Sequence, residues 1–276
     1  DTLSIGWANS LMTKSLHEIL TRSVREIRFR YIRFHGILDD SMDLYHEYSD
    51  GTPWLSFTYL DIVTDEILDL GLRPTFEFGF IPYRLAPSLR NIFGTSCLNL
   101  PNTPETLDKW QFLVEGVMIH LLERYGSEEV AQWRFAPINA LYISYGVFSA
   151  DEYLACYERT YGVIRRLVPK AQICAFGLDT GLISADGPGL FERLLSHCRE
   201  HGCLPDAFTF QCFGCDYAKV SRSTTETNIA ANAEHLTGEP APVSSDSDIL
   251  KHEILLCKKI LKMYGLDGCP FHISAW

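Results

Sequence analysis

A chain of 276 residues that is 46% hydrophobic and 21% charged can bury a large core, and about 250 residues is the usual size of one α/β barrel. Its formal net charge of -11 argues against this segment gripping a phosphate backbone, which needs Lys and Arg to neutralise the phosphates. No apolar run reaches the roughly 20 residues of a membrane helix, and DTLSIGWANS lacks the basic-then-apolar layout of a secretory leader.

The expectation from these features is a cytoplasmic protein with no membrane contact. The start at Asp1 fits a cut or processed chain and leaves a removed leader open. The cysteine count is odd, nine, and Cys156, Cys174 and Cys257 sit among apolar residues, which reads as reduced core thiols. Cys212 and Cys215 form a C-x-x-C downstream of Cys198 and Cys203, but the paired spacing of a structural zinc site is absent. No metal and no cofactor is expected.

In chain order, Ser4–Asn9 reads as a first strand. Leu16, Ile19, Leu20, Val24 and Ile27 recur at helical spacing, which predicts an amphipathic helix with that face on a core. Tyr31–Gly36 is a second strand, followed by an acidic loop through Asp39, Asp40 and Asp43. Tyr59–Leu70 is helical and closes at Gly71, with Pro74 just beyond.

Thr75–Phe80 is a third strand, and Glu77 within it needs a partner or a ligand if it points inward; Arg33 is one such partner. A long loop, Pro82–Thr103, follows. Thr103-Pro104-Glu105 is a helix start, with Leu107, Trp110, Val114, Val117, Met118 and Leu121 as its buried face. Arg124–Tyr142 then ends that helix, turns, and drives a fourth strand, Phe135–Asn139, up to Ala140.

Ser149 to Glu152 is a capping box for a helix packing through Tyr153, Leu154, Tyr157, Tyr161, Ile164 and Leu167. Ile173–Leu178 and Phe208–Phe213 are strands five and six, with a helix over Leu190–His201 between them. Ser221–Asp248 reads as a long loop. Leu250, Ile254, Cys257, Leu261 and Tyr264 mark a last helix face before a seventh strand, Phe271–Trp276.

Strands alternating with helices predict a parallel sheet of the α/β class. The expected architecture is a (β/α)8 TIM barrel cut short after strand seven, as one domain over residues 1–276. A doubly wound open sheet usually carries a Gly-rich phosphate loop after its first strand, and GWANS is not one. In a barrel the chemistry sits at the carboxyl ends of the strands. At the end of strand four Asn139 and Tyr142 can form hydrogen bonds, but residues 135–145 contain no Asp, Glu, His, Lys or Cys that could move a proton.

The runs YIRFHGILDD, RPTFEFGFIP, RYGSEEVAQWRF and CPFHISAW, in this order and spacing, resemble the barrel of glycoside hydrolase family 39, the β-xylosidase and α-iduronidase family. The similarity extends from Ile5 to Trp276. It implies a (β/α)8 barrel and a retaining mechanism with two glutamates. The acid/base follows an Asn in a Trp-Asn-Glu-Pro motif ending strand four, and the nucleophile sits in a His-Ile-Thr-Glu stretch ending strand seven.

Carried over residue by residue, the first motif is Ile138-Asn139-Ala140-Leu141 and the second is His272-Ile273-Ser274-Ala275-Trp276. The acid/base position is therefore Ala140 and the nucleophile position Ala275, so no catalytic residue is expected. The family's His-Ala-Tyr on strand six stands here as Gln211-Cys212-Phe213. Because the Trp and Pro of the strand-four motif have changed as well, natural loss of catalysis reads better than an engineered pair of alanines.

What the resemblance leaves is a sugar pocket. His35, Glu77, Asn139, Tyr142 and Gln211 supply polar groups, and Phe80, Phe213 and Trp276 supply walls. The expected ligand is xylose or a xylo-oligosaccharide. The resemblance extends to emptied barrels fused to AraC-type helix-turn-helix regulators, where DNA would be contacted by another domain and the barrel would sense the sugar. The alternatives are an active or mutationally inactivated retaining β-xylosidase, and a ligand-free barrel holding a homodimer.

Overall fold

The computed structural model describes residues 2–85, 89–92, 95–98, 100–140, 143, 149–214 and 244–275. In chain order its elements are β1 (Thr2–Trp7), α1 (Lys14–Ile27), β2 (Tyr31–His35), β3 (Tyr45–Glu47), β4 (Pro53–Leu55), α2 (Thr58–Asp69), β5 (Arg73–Glu77), β6 (Leu89–Ile92) and β7 (Thr95–Leu98). There follow α3 (Pro104–Tyr125), α4 (Ser127–Val130), β8 (Arg134–Ala136), α5 (Ala150–Leu167), β9 (Gln172–Asp179), α6 (Thr180–Asp186), α7 (Gly189–Glu200), β10 (Ala207–Gln211), α8 (Ile249–Met263) and β11 (Phe271–Ala275).

The strands expected from the sequence form one seven-stranded sheet in the order β1-β2-β5-β8-β9-β10-β11, every pair parallel. This is an α/β fold in which helical segments carry the chain between parallel neighbours. By packing, the chain divides into two compact units. The first is Asp1–Leu89, Leu98–Ile138 and Ala155–Ile173; the second is Arg90–Cys97, Asn139–Leu154 and Cys174–Trp276.

In the first unit, alternation along the strands sorts the side chains. Ile32, Phe34, Phe76 and Phe135 are buried, with Phe34 and Phe76 edge to face at 5.5 Å and Phe76 and Phe135 stacked at 6.0 Å. The intervening positions, Arg33, Thr75, Glu77 and Arg134, form the polar face. Arg134 lies over the Tyr31 ring at 3.7 Å and donates to Gln172 and Thr2, which ties together the amino-terminal ends of four strands.

The α3 helix begins as its sequence dictates. Thr103 accepts from the Thr106 N–H and Pro104 occupies the first turn, where a missing N–H costs nothing. Trp110, Val114, Val117, Met118 and Leu121 are buried as expected. The Trp110 indole N–H donates to Thr160 at 2.9 Å, which satisfies a polar atom that would otherwise be stranded in the core.

Three local readings change. On α1 only Leu20 is buried, while Ile19 and Ile27 are 61% and 64% exposed, because the buried stripe is one residue wide and Ile19 falls to its side. The acidic loop after β2 contains an antiparallel hairpin, β3 with β4, in which His46 stacks on Trp54 at 4.1 Å. Within the Pro82–Thr103 loop, β6 and β7 pair as a second small sheet.

In the second unit, Phe208 and Phe210 of β10 pack on Phe191 of α7 at 6.2 and 5.4 Å, and Phe210 stacks on Phe271 at 4.5 Å. The inner face of α8 is Glu253, Cys257, Ile260 and Leu261. It is turned from the expected face, and Leu250 is exposed. Asp179 starts α6 directly at the end of β9 by accepting from the Gly181 N–H at 2.8 Å, a short helix that the strand-and-helix count did not include. Cys212 is buried as a free thiol, while Cys215 and residues 221–243 of the expected loop lie outside the described residues.

Candidate functional site

At the carboxyl ends of β2 and β5 the first unit gathers His35, Glu77 and Phe80, three of the residues singled out in the sequence. Arg33 donates from Nη2 to Glu77 Oε2, with both side chains largely buried. The in-line register of the two strands sets Arg33 beside Thr75, one pleat below Glu77. The inward carboxylate therefore has the cation that its burial requires.

His35 rests against Phe80 with ring centroids 5.3 Å apart, and Trp7 closes the group at 5.2 Å from His35 and 4.5 Å from Phe80. Burial pushes the His35 imidazole below its ordinary pKa; the Glu77 carboxylate opposes that shift and Arg33 adds to it. A neutral imidazole offers one donor and one acceptor, which suits a hydroxyl-rich ligand. Trp7 was not among the expected site residues. Its position at the end of the first strand is the signal that could have found it.

The backbone around this group is shaped for close contact. Gly36 has φ +74, and a Cβ there would fall 2.3 Å from the Trp7 ring, so only glycine admits the indole. Phe80 holds φ 58, a left-handed conformation that costs a residue with a Cβ about 1–2 kcal/mol. Its ring contacts with Trp7 and His35 offset that strain.

The second unit holds the other group. Asn139 and Ala140 follow the fourth strand of the sheet, and the Ala140 N–H donates to the Phe176 carbonyl oxygen at 2.6 Å while its own carbonyl accepts from Ile143. Ala140 is fully buried. At the end of β10, Gln211 is in register with Asp179 on one side and Ala275 on the other. Phe213 is exposed two residues further on. Tyr142 and Trp276 lie outside the described residues.

Below Gln211 lies a polar knot that sequence reading missed. Thr180 Oγ1 lies 3.1 Å from the Gln211 carbonyl oxygen and 2.7 Å from Glu253 Oε2. Asp179, Thr180, Gln211 and Glu253 are all buried. A period count that tracks only apolar residues passes over Glu253, although it lies four positions before Cys257 on the same face. Asp179 accepts from the Gly181 N–H at the start of α6, and Glu253 meets the Thr180 hydroxyl.

A family model, glycosyl hydrolases family 39, matches residues 4–238. The chain belongs to glycosyl hydrolase family 39. It is 37% identical over 153 residues to a β-xylosidase of Geobacillus stearothermophilus, covering 54% of this chain and 30% of that protein. It is 29% identical over 225 residues to a β-xylosidase of Caldicellulosiruptor saccharolyticus, covering 81% of this chain and 44% of that protein. The chain therefore spans less than half the length of either relative.

Among solved structures, a monomeric β-xylosidase from Caulobacter crescentus superposes over all of this chain and 51% of its own, with a TM-score of 0.79 at 21% identity. A family 39 enzyme from Xanthomonas axonopodis pv. citri gives 0.77 at 20% identity, with the same coverage. These likenesses are of fold. They are consistent with the shortened barrel expected from the strand count, and no helix among the described residues is long and apolar enough to cross a membrane.

Proposed function

We propose that this chain is the saccharide-binding part of a family 39 protein and that it grips a xylose-type oligosaccharide without cleaving it. The observation that carries this reading is Ala140. The position where the family resemblance puts the acid/base glutamate holds a fully buried methyl group whose backbone is pinned to Phe176. Ala275 stands at the nucleophile position.

A retaining glycosidase needs two carboxyl groups about 5 Å apart, one to protonate the leaving oxygen and one to attack the anomeric carbon. General acid catalysis alone is worth about 10²–10⁴-fold, and loss of the nucleophile removes the covalent route. The proposed sugar contacts are His35, Glu77 and Phe80 in the first unit and Asn139, Tyr142, Gln211, Phe213 and Trp276 in the second. In a longer protein, binding of such a ligand would shift a fused AraC-type regulator between DNA-binding states through differential affinity for its two conformations.

A second reading is a retaining β-xylosidase, and the identity to two proteins of that name supports it. Calorimetric titration with xylobiose beside a nitrophenyl-β-xyloside assay separates the two. Heat without turnover is the expected result. Turnover by the unaltered chain establishes the enzyme instead, and silence in both assays leaves a structural barrel without a ligand.

A further inference from the structure

Helix α8 brings a carboxyl group into the interior of the second unit. Glu253 is 1% exposed, and among the described residues it forms no ion pair. The basic side chains beside it on its own helix, Lys251 and His252, are exposed, and His252 pairs with Asp246 at 3.0 Å. Among the described residues, the titratable groups that face it from elsewhere are Asp179 at the end of β9 and Cys212 just beyond β10, with Cys257 one turn along α8. None of these supplies a positive charge.

Hydrogen bonding decides how Glu253 is held. The Thr180 hydroxyl contacts both Glu253 Oε2, at 2.7 Å, and the Gln211 carbonyl oxygen, at 3.1 Å. A hydroxyl carries one proton and a carbonyl none. If Glu253 were a carboxylate, Thr180 could serve only one of these two acceptors. If Glu253 is a carboxylic acid, it donates to Thr180, Thr180 donates to Gln211, and each contact holds one hydrogen. Burial, with no cation beside it among the described residues, favours the same form, and so does the charge of Asp179, while the Thr180 hydrogen bond opposes the shift without reversing it.

We propose that Glu253 is a neutral carboxylic acid in the folded protein, and that the one-way chain Glu253–Thr180–Gln211 fixes the end of β10. This makes Glu253 a positioning residue for the Gln211 side chain. The positioning role rests on the saccharide-binding reading above; the protonation does not.

The sign of the pH dependence follows. The folded state keeps the Glu253 proton above the ordinary glutamate value of about 4.3, whereas the unfolded state releases it there. Stability is therefore lost as pH rises through that window. Glu253→Gln keeps the shape and an N–H donor but cannot ionise. Its Tm should match that of the unaltered chain near pH 4 and rise relative to it by about 3 °C per pH unit above that. A gap that stays flat or falls with pH overturns the proposal.

If the variant does not fold, infrared spectroscopy of the unaltered chain labelled with carbon-13 in glutamate answers the same question at neutral pH. A protonated carboxyl band supports the proposal, and its absence overturns it. For the positioning role, xylobiose affinity is compared over the same pH series. The unaltered chain should weaken relative to Glu253→Gln by about fivefold as Glu253 ionises, and a constant ratio overturns that role. No heat from the unaltered chain at any pH overturns the saccharide reading, and the positioning role with it, while the Tm gap still reports on the proton.

Discussion

The carboxamide of Asn139 lies directly against Gly177: a Cβ on that glycine would come within 2.5 Å of Oδ1 and 2.8 Å of Cγ. Gly177 also has φ +73, so alanine there is strained as well as crowded. Gly177→Ala should lower Tm by about 5 °C or more and weaken xylobiose binding by displacing Asn139. Thermal unfolding and calorimetry check both effects. An unchanged Tm would mean that this close approach does not exist.

The environment of His35 sets a second expectation. Its pKa is lowered by burial, so in the window below about 6.5 the unfolded chain binds a proton that the folded chain resists. Stability should therefore fall as pH drops through that window, and His35→Gln should flatten this limb. A urea midpoint series between pH 7 and 5 reads the slope. An identical slope in the variant would place the imidazole in ordinary solvent.

These two positions differ in how far the sequence foretold them. All seven strands of the sheet were legible because buried parallel strands are short apolar runs, such as Ile173–Leu178, bounded by turns. Boundaries moved by one to three residues: β5 starts at Arg73, and the chain leaves the sheet after Glu77. The β3–β4 hairpin has three residues per strand, too few for a period to register. The Arg33–Glu77 pair was legible because an acid in an apolar strand demands a cation. Glu253 was not, because a lone charge on a helix face ordinarily points to solvent. Trp7 joins His35 and Phe80 only through the folding of distant segments.

The Thr103 cap was read directly from the sequence and can be weighed in isolation. Its hydroxyl accepts from the Thr106 N–H at 3.2 Å, and its own N–H donates to Thr106 Oγ1 at 3.1 Å. Thr103→Ala removes one half of this exchange at an exposed helix end and should cost about 1 kcal/mol. That corresponds to a Tm lowered by about 2–4 °C with xylobiose affinity unchanged. A loss of affinity would show that the start of α3 is coupled to the ligand.

The Arg33–Glu77 pair gives a sharper test because its partners also act on His35. Arg33→Met strands a buried carboxylate and should cost about 3–5 kcal/mol, whereas Arg33→Met with Glu77→Leu removes both charges and should recover most of that loss. The His35 ring reports on the same pair independently, since Glu77 raises its pKa and Arg33 lowers it. In the NMR titration of His35 the midpoint should move down in Glu77→Gln and up in Arg33→Met. If neither variant moves it, His35 does not feel the pair, and the polar group at the ends of β2 and β5 cannot act as one unit on a ligand.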